Sequence, residues 1–275
     1  MVTLESIKPI IASDVFQTTG NMPLLVLCSD LNEYVTKYNK NRPPSTQLFN
    51  EFICASFLDI WSLKVPETAF IKIKREHITK ELSMPFTWFK STCFGSKRYR
   101  YYKEVDQFFI DSSVPIVKSN FNQDDFLKIG LFDIWIANED RNPENTNLLY
   151  FIDENGGYQF VPIDHGAAFN SNNLNKGLVP ITEQETLLFK PLINKICKKR
   201  SLKDENYLKE IEEEFYFCIR NCEKEFPEIL TRIPSDWKID TAKISDLFEK
   251  TLFADSWIDT TFRTFLTFID ISLNH

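Results

Sequence analysis

The stretch "NEDRNPENTN" (residues 138–147) follows the apolar run "FLKIGLFDIWIA" and holds Asp140 and Asn145 in a D-x-x-x-x-N spacing. A second acid, Asp164, comes after a hairpin pattern in "PIDHGAAF". A carboxylate at a helix end, an amide oxygen five residues on and a carboxylate at a strand end can converge on one point. Asn145 and Asp164 offer hard oxygen ligands of the kind magnesium takes, since that ion uses few protein ligands and keeps phosphate and water. Asp140 is then left to accept a proton or orient a nucleophile. Lys37, in "EYVTKY", supplies a cation for phosphate, and Glu51, in "TQLFNEFICASFLDIW", a carboxylate to hold it. These are the parts of a phosphoryl transferase.

The elements that would position them can be read from periodicity. "LLVLC" and "EYVTKY" flank the polar turn "SDLN" as a hairpin, and "TTGN" (residues 18–21) reads as a turn before it. Ser45 can cap a helix running to about Trp61. On that helix Glu51 shares a face with Leu48, Cys54, Ala55 and Leu58. A carboxylate there is costly unless a cation answers it. Two readings stay open: a pair with Lys37, or a carboxylate bordering the core and reaching water. "TAFIKIK" (residues 68–74) reads as a strand, and "CFGSKRY" (93–99) as a surface turn or a loop carrying a modifiable Ser96.

From Gln123 the pattern turns helical. "DDFLKIGLFDIWIA" is apolar nearly all round and predicts a buried central helix. Its Asp133 is expected to be structural, accepting hydrogen bonds from Arg141 or loop amides. "TNLLYFI" and "YQFVPI" flank the glycine turn "DENGG" as a second hairpin. "NSNNLNKG" (170–177) suits a mobile loop, and helical patterns fill about 203–224 and 239–273. The layout is a small sheet-rich part, residues 1–85, and a larger helical part, 86–275, with a ligand site expected between them.

Composition narrows the function. The 275 residues carry 43% hydrophobic and 26% charged side chains, with 25 Phe and only 7 Gly, which suits a well-packed globular chain. A net charge of −7 argues against a general nucleic-acid binder. The basic runs "KRYRYYK" and "KICKKR" read as solvated faces. Six cysteines form no CxxC pair, and with three histidines they match no zinc spacing, so reduced cytoplasmic thiols are expected. "MVTLESIKPI" is not a signal peptide, and no apolar run approaches the roughly 20 residues needed to span a bilayer.

"NEDRNPENTNLLY" followed by "FVPIDHGAAF", with the Lys37–Glu51 pair upstream, resembles the HipA-like kinases, bacterial relatives of the protein and lipid kinases with a D-R-x-x-x-N loop. The resemblance covers most of the chain, from "MPLLVL" to Phe169. It implies an α+β, two-lobed, protein-kinase-like fold and transfer of phosphate from ATP, with Mg2+, to Ser or Thr of a protein, in some members within toxin–antitoxin systems. By it, Asp140 is the catalytic base, Asn145 and Asp164 are the metal ligands, Lys37 contacts the α/β-phosphates and Glu51 fixes Lys37. Backbone around "IKIKRE", including Ile71 and Ile73, would form the hinge near the adenine. The resemblance also implies an antitoxin-like protein partner.

The chain departs from the pattern in several places. There is no G-x-G-x-x-G, with Gly20 alone in its region; Asn142 stands where many relatives have His; His165 and Gly166 after Asp164 keep a DFG-like shape with imidazole in place of phenyl. His165 reads as a packed histidine beside the metal site, a general base being the other reading. Alternatives to an active protein kinase are a pseudokinase scaffold, a small-molecule kinase of the lipid or aminoglycoside type, where a deep acidic acceptor pocket would favour the aminoglycoside, and an ordinary α+β domain with polar turns.

Overall fold

The computed structural model describes all residues except 19–21, 41–43, 112–119 and 275. The turn expected at "TTGN", with Gly20, and His275 lie outside the described residues. The fold is mixed α+β, a small sheet-rich N-terminal part against a helical C-terminal part.

The N-terminal part is a five-stranded sheet in the order β1-β4-β5-β3-β2. Its strands are β1 (Val2–Glu5), β2 (Leu24–Leu27), β3 (Glu33–Lys37), β4 (Thr68–Lys72) and β5 (Cys93–Lys97). β2 and β3 form the expected hairpin. Asp30 fixes its turn, accepting from the Asn32 amide at 3.1 Å and the Tyr34 hydroxyl at 2.8 Å. Strand alternation sorts the faces: Tyr34, Ala69, Ile71 and Cys93 point outward under Leu82 and Phe89. Phe70 and Phe94 point inward, and Lys37 is Phe94's register partner, so it shares the inner face.

Two expectations change here. "CFGSKRY" is not a surface turn, since Cys93–Lys97 is β5, between β4 and β3. A Cβ on Gly95 would sit 2.2 Å from Ile71 Cδ1, so the glycine leaves the space that the Ile71 side chain fills. The division after residue 85 therefore falls inside the sheet's own span. Residues 71–76 are not the link between the two parts either. After β4 the chain turns back over the outer face, where Ile71 and Ile73 are buried, and returns as β5. The link that does leave the sheet is the stretch 98–102, leading to β6 (Lys103–Glu104).

Helix α1 (Thr46–Ile60) lies between the sheet and the helical part and packs on β5 and two helices introduced below, α4 and α6. That position explains why it is buried nearly all round. Ser45 occupies its N-cap, yet the hydroxyl caps no amide and instead accepts from Asn39 Nδ2 at 2.7 Å. After α2 (Gln107–Asp111) comes the central helix α3 (Gln123–Trp135), capped by Asn122, which accepts from the Asp125 amide. Burial on every side follows from its apolar circumference. Trp135 stacks on Trp61 at 5.7 Å and donates to the Leu252 carbonyl at 3.0 Å. β7 (Leu148–Ile152) and β8 (Tyr158–Pro162) are the second hairpin, with β6 beside β7.

The remaining helices are α4 (Ala168–Asn172), α5 (Lys190–Ile196), α6 (Glu205–Thr231), α7 (Thr241–Lys250) and α8 (Asp255–Asn274). The single helical pattern expected over 239–273 is thus two helices, broken at residues 251–254, where Leu252 and Phe253 turn into the core. Among the described residues no helix is long and apolar enough to cross a membrane.

Candidate active site

Lys37 ends β3 on the inner face, and its ammonium lies 2.6 Å from Glu51 Oε1 and 2.6 Å from Asp164 Oδ1. Glu51 is 4% exposed, so of its two readings the paired one holds. Burial raises the Glu51 carboxyl's affinity for a proton while Lys37 opposes it. Burial also works against the charge on Lys37, but the two carboxylates more than offset this and hold its pKa above the ordinary lysine value. Asp164, whose burial acts upward, is pulled down to about 2 by the Lys37 ammonium.

Asp164 sits at the end of the β7–β8 hairpin with φ 59°, in the left-handed region. Segment 164–168 is tied to α1 beyond the lysine. Glu51 accepts from the His165 amide, and Asn50 Nδ2 donates to the Gly166 and Ala168 carbonyls at 3.1 and 3.0 Å. Gly166 faces this carboxylate closely, since a Cβ there would lie 3.3 Å from Glu51 Oε1.

The polar decade begins where α3 ends. Ala137 takes φ 46°, and Asn138 turns back to Asp133, amide to carbonyl at 2.9 Å and Nδ2 to Oδ1 at 3.1 Å. Arg141 Nε lies 2.8 Å from Asp133 Oδ2, both side chains fully buried. The same guanidinium donates to the Asn147 carbonyl and to His165 Nε2, the latter at 2.8 Å. Asp133 is therefore structural, as its place on an apolar helix face suggested. Burial and the Arg141 charge push His165 well below the ordinary histidine range. The ring is neutral and, accepting at Nε2, carries its proton on Nδ1.

Asp140 and Asn145 are brought together. Asn145 Nδ2 donates to the Asp140 carbonyl at 3.1 Å, which leaves the Asn145 amide oxygen as an acceptor. Asn142 makes the turn between them, its Oδ1 accepting from the amides of Glu144 and Asn145, each at 3.0 Å. Asn147, which the sequence reading did not single out, joins the loop to the strand end that carries Asp164. It donates to Asp140 Oδ2 at 3.4 Å, and its carbonyl accepts from Ile163, the residue before Asp164, at 3.0 Å. Asn50 was missed as well; its place beside Glu51 was the available signal. Ile71 and Ile73 stand apart from this cluster, on the far face of the sheet.

The start of "NSNNLNKG", expected as a mobile loop, is held down. Residues 169–171 all have positive φ and run back along the end of α3, Phe169 N donating to the Ile136 carbonyl at 2.7 Å. Glu139 accepts from Asn170 Nδ2 at 3.0 Å and from Ser171 Oγ at 2.9 Å.

The family model for HipA-like kinases matches residues 11–265. The chain belongs to the HipA-like kinase family. Among solved structures it is similar to the proinflammatory kinase CtkA of Helicobacter pylori, with TM-score 0.57 and 15% identity, over 99% of this chain and 100% of that one. It also matches HipA of Shewanella oneidensis MR-1, solved with HipB and operator DNA, at TM-score 0.44 and 11% identity, covering 98% of this chain and 68% of that one. No curated protein sequence matches the chain.

A kinase fold implies a nucleotide and usually a metal, and the donor set can be tested against that. Among the described residues there is no cluster of three or more His, Cys, Asp and Glu. Asp164 and the Asn145 oxygen are a sparse, all-oxygen pair, which fits an ion that keeps phosphate and water ligands and does not fit a closed cage. The lysine between two carboxylates marks where negative charge is already gathered. The residues present fit the group.

Proposed function

We propose that this chain is an ATP- and magnesium-dependent kinase that transfers the γ-phosphoryl group to a serine or threonine hydroxyl of a protein. The observation that carries the reading is Lys37 held 2.6 Å from both Glu51 and Asp164, in a family of kinases. Glu51 is the fixed partner, buried on α1; Asp164 is the exchangeable one, on the solvent side of the lysine. When nucleotide enters, Lys37 turns from Asp164 to the α/β-phosphates, and Asp164 with Asn145 becomes available to hold the metal. A metal held by Asp164 and Asn145 would supply the positive charge that phosphoryl transfer needs on the phosphate oxygens.

Asp140 accepts the hydroxyl proton as the acceptor oxygen forms its bond to Pγ. The bond from Pγ to the bridging β-oxygen breaks, and ADP leaves with that electron pair. Arg141, fixed by Asp133, keeps Asp140 at its station without touching substrate. A scaffold that only binds nucleotide has no use for Asp140, which is why an active enzyme is favoured.

Calorimetric titration of ATP with and without magnesium, on the native chain and on Asp164→Asn, tests the nucleotide site. Binding that needs magnesium and fails in the variant is expected; no binding under any condition overturns the reading. Asp140→Ala should keep nucleotide affinity and lose phosphoryl transfer by about 10²–10⁴-fold. Undiminished transfer would remove Asp140 from its role.

A further inference from the structure

Beside the loop that carries Asp140 lies a cavity of about 1030 Å³. That is at the upper end of the roughly 300–1,000 Å³ typical of small-molecule clefts. One wall is the turn at Asn142, Pro143 and Glu144, two to four residues after Asp140; the other walls come from residues 183–190 and the end of α8. Its floor is apolar, made by Leu188, Phe189, Phe268 and Ile271. Its rim is acidic, with Glu139, Glu144, Glu183 and Glu185 against one lysine, Lys190.

Resting on the kinase reading, we propose that this groove is the acceptor site and that the acceptor is an extended peptide segment. Lys or Arg flank its hydroxyl residue, and one apolar side chain seats on Phe189 and Ile271, the half-buried apolar residues of the lining. Charge complementarity decides the flanks: a carboxylate rim favours cationic partners and repels acidic ones. The floor decides between the two cationic classes. An aminoglycoside presents hydroxyls and ammonium groups on every side and would leave the half-buried Phe189 and Ile271 facing polar groups, whereas a basic peptide brings an apolar side chain to cover them. Position supports the same assignment, since the turn that forms the wall also carries Asp140 and Asn145.

The roles within the rim differ. Glu139 is committed to Asn170 and Ser171, and Glu185 accepts from the Thr182 amide and hydroxyl. Glu144 and Glu183 are exposed and carry the recognition. A charge-swapped enzyme, Glu144→Lys with Glu183→Lys, makes the test independent of mere damage. On matched serine peptides with basic or acidic flanks, the native chain should phosphorylate the basic set with a KM at least about tenfold lower, and the gap should narrow as salt is raised. The swapped enzyme should reverse that preference while its ATP affinity, measured by calorimetry on the same sample, stays put. Replacing the apolar residue of the best peptide by serine should raise KM several-fold.

Equal rates on both peptide sets, or an unchanged preference in the swapped enzyme, would overturn the assignment. So would faster phosphorylation of kanamycin than of any peptide, which would give the groove to an aminoglycoside. Absence of ATP binding in the native chain would instead fail the kinase reading itself, and calorimetry separates that outcome from the others.

Discussion

The substitution Asp133→Asn tests what holds the loop of residues 138–147. It keeps the shape and removes the charge that answers Arg141, whose Nε lies 2.8 Å from Asp133 Oδ2 with both side chains at 0% exposure. Breaking a buried pair from one side costs about 3–5 kcal/mol, because an ion is left in low dielectric without its counter-charge. Three acceptors remain to the guanidinium, the Asn147 and Thr146 carbonyls and His165 Nε2, so the loss should fall at the lower end, about 3 kcal/mol. For a chain of this size that is a fall in Tm of roughly 6–12 °C, at about 2–4 °C per kcal/mol. Thermal and urea unfolding followed by circular dichroism at pH 7.5 would measure it. Arg141→Gln should cost a similar amount, since it strips donors from the same carbonyls, and the double variant should cost less than the sum by about 2 kcal/mol. A drop in Tm under about 2 °C for Asp133→Asn, or strict additivity, would refute the claim that this pair anchors the loop.

Two further outcomes follow from the packing. His165 is buried and held neutral, its pKa well below the ordinary 6.5, so unfolded chains bind a proton there in a window where folded ones do not. The stability it contributes is full above pH 6.5 and is lost as pH falls through that value toward the lower folded-state pKa; over that window His165→Asn should therefore lose less stability than the native chain in urea titrations, and equal losses would refute the reasoning. Gly130 on α3 faces Leu188, and a Cβ would lie 2.7 Å from Leu188 Cδ2 and 2.8 Å from its Cγ. Gly130→Ala should destabilise by about 1 kcal/mol, overpacking outweighing the better helix propensity, and a neutral or stabilising result would show that Leu188 yields freely.

What was legible in the sequence was whatever a single element could state alone. The two hairpins and α3 follow from period and turn chemistry. An acid such as Glu51 on an apolar face demanded a cation, and Lys37 was the cation within reach. β5 was not legible, because "CFGSKRY" has the composition of a turn and becomes a strand only through its register with Phe70 and Val35. The break at residues 251–254 was hidden for the same reason, since Leu252 and Phe253 continue an apolar pattern while the backbone turns. The hinge was misplaced by reading β4's exit as a crossing, when the outer face of the sheet still needed covering. The acidic groove was beyond any local reading: its walls come from residues near 140, 185 and 270, each unremarkable alone.

The polar decade itself separates the two ways a loop can be polar. A surface turn would expose its side chains, whereas Asn138 and Arg141 are at 0% exposure while Asn145 stands in solvent. Burying an arginine is costly unless its charge is answered, and here Asp133 from α3 answers it as an ion pair, while His165 and the loop's own carbonyls take the terminal N–H groups. One guanidinium thus ties the end of the central helix to the residue beside Asp164, and Asp164 is tied in turn through Lys37 to Glu51 on α1. Rigid body, loop and sheet are joined by a continuous run of charge-assisted contacts, which fixes the stations of Asp140 and Asn145 before any ligand arrives. That preorganisation is what a phosphoryl transferase needs most, because positioning and electrostatics supply nearly all of its catalysis.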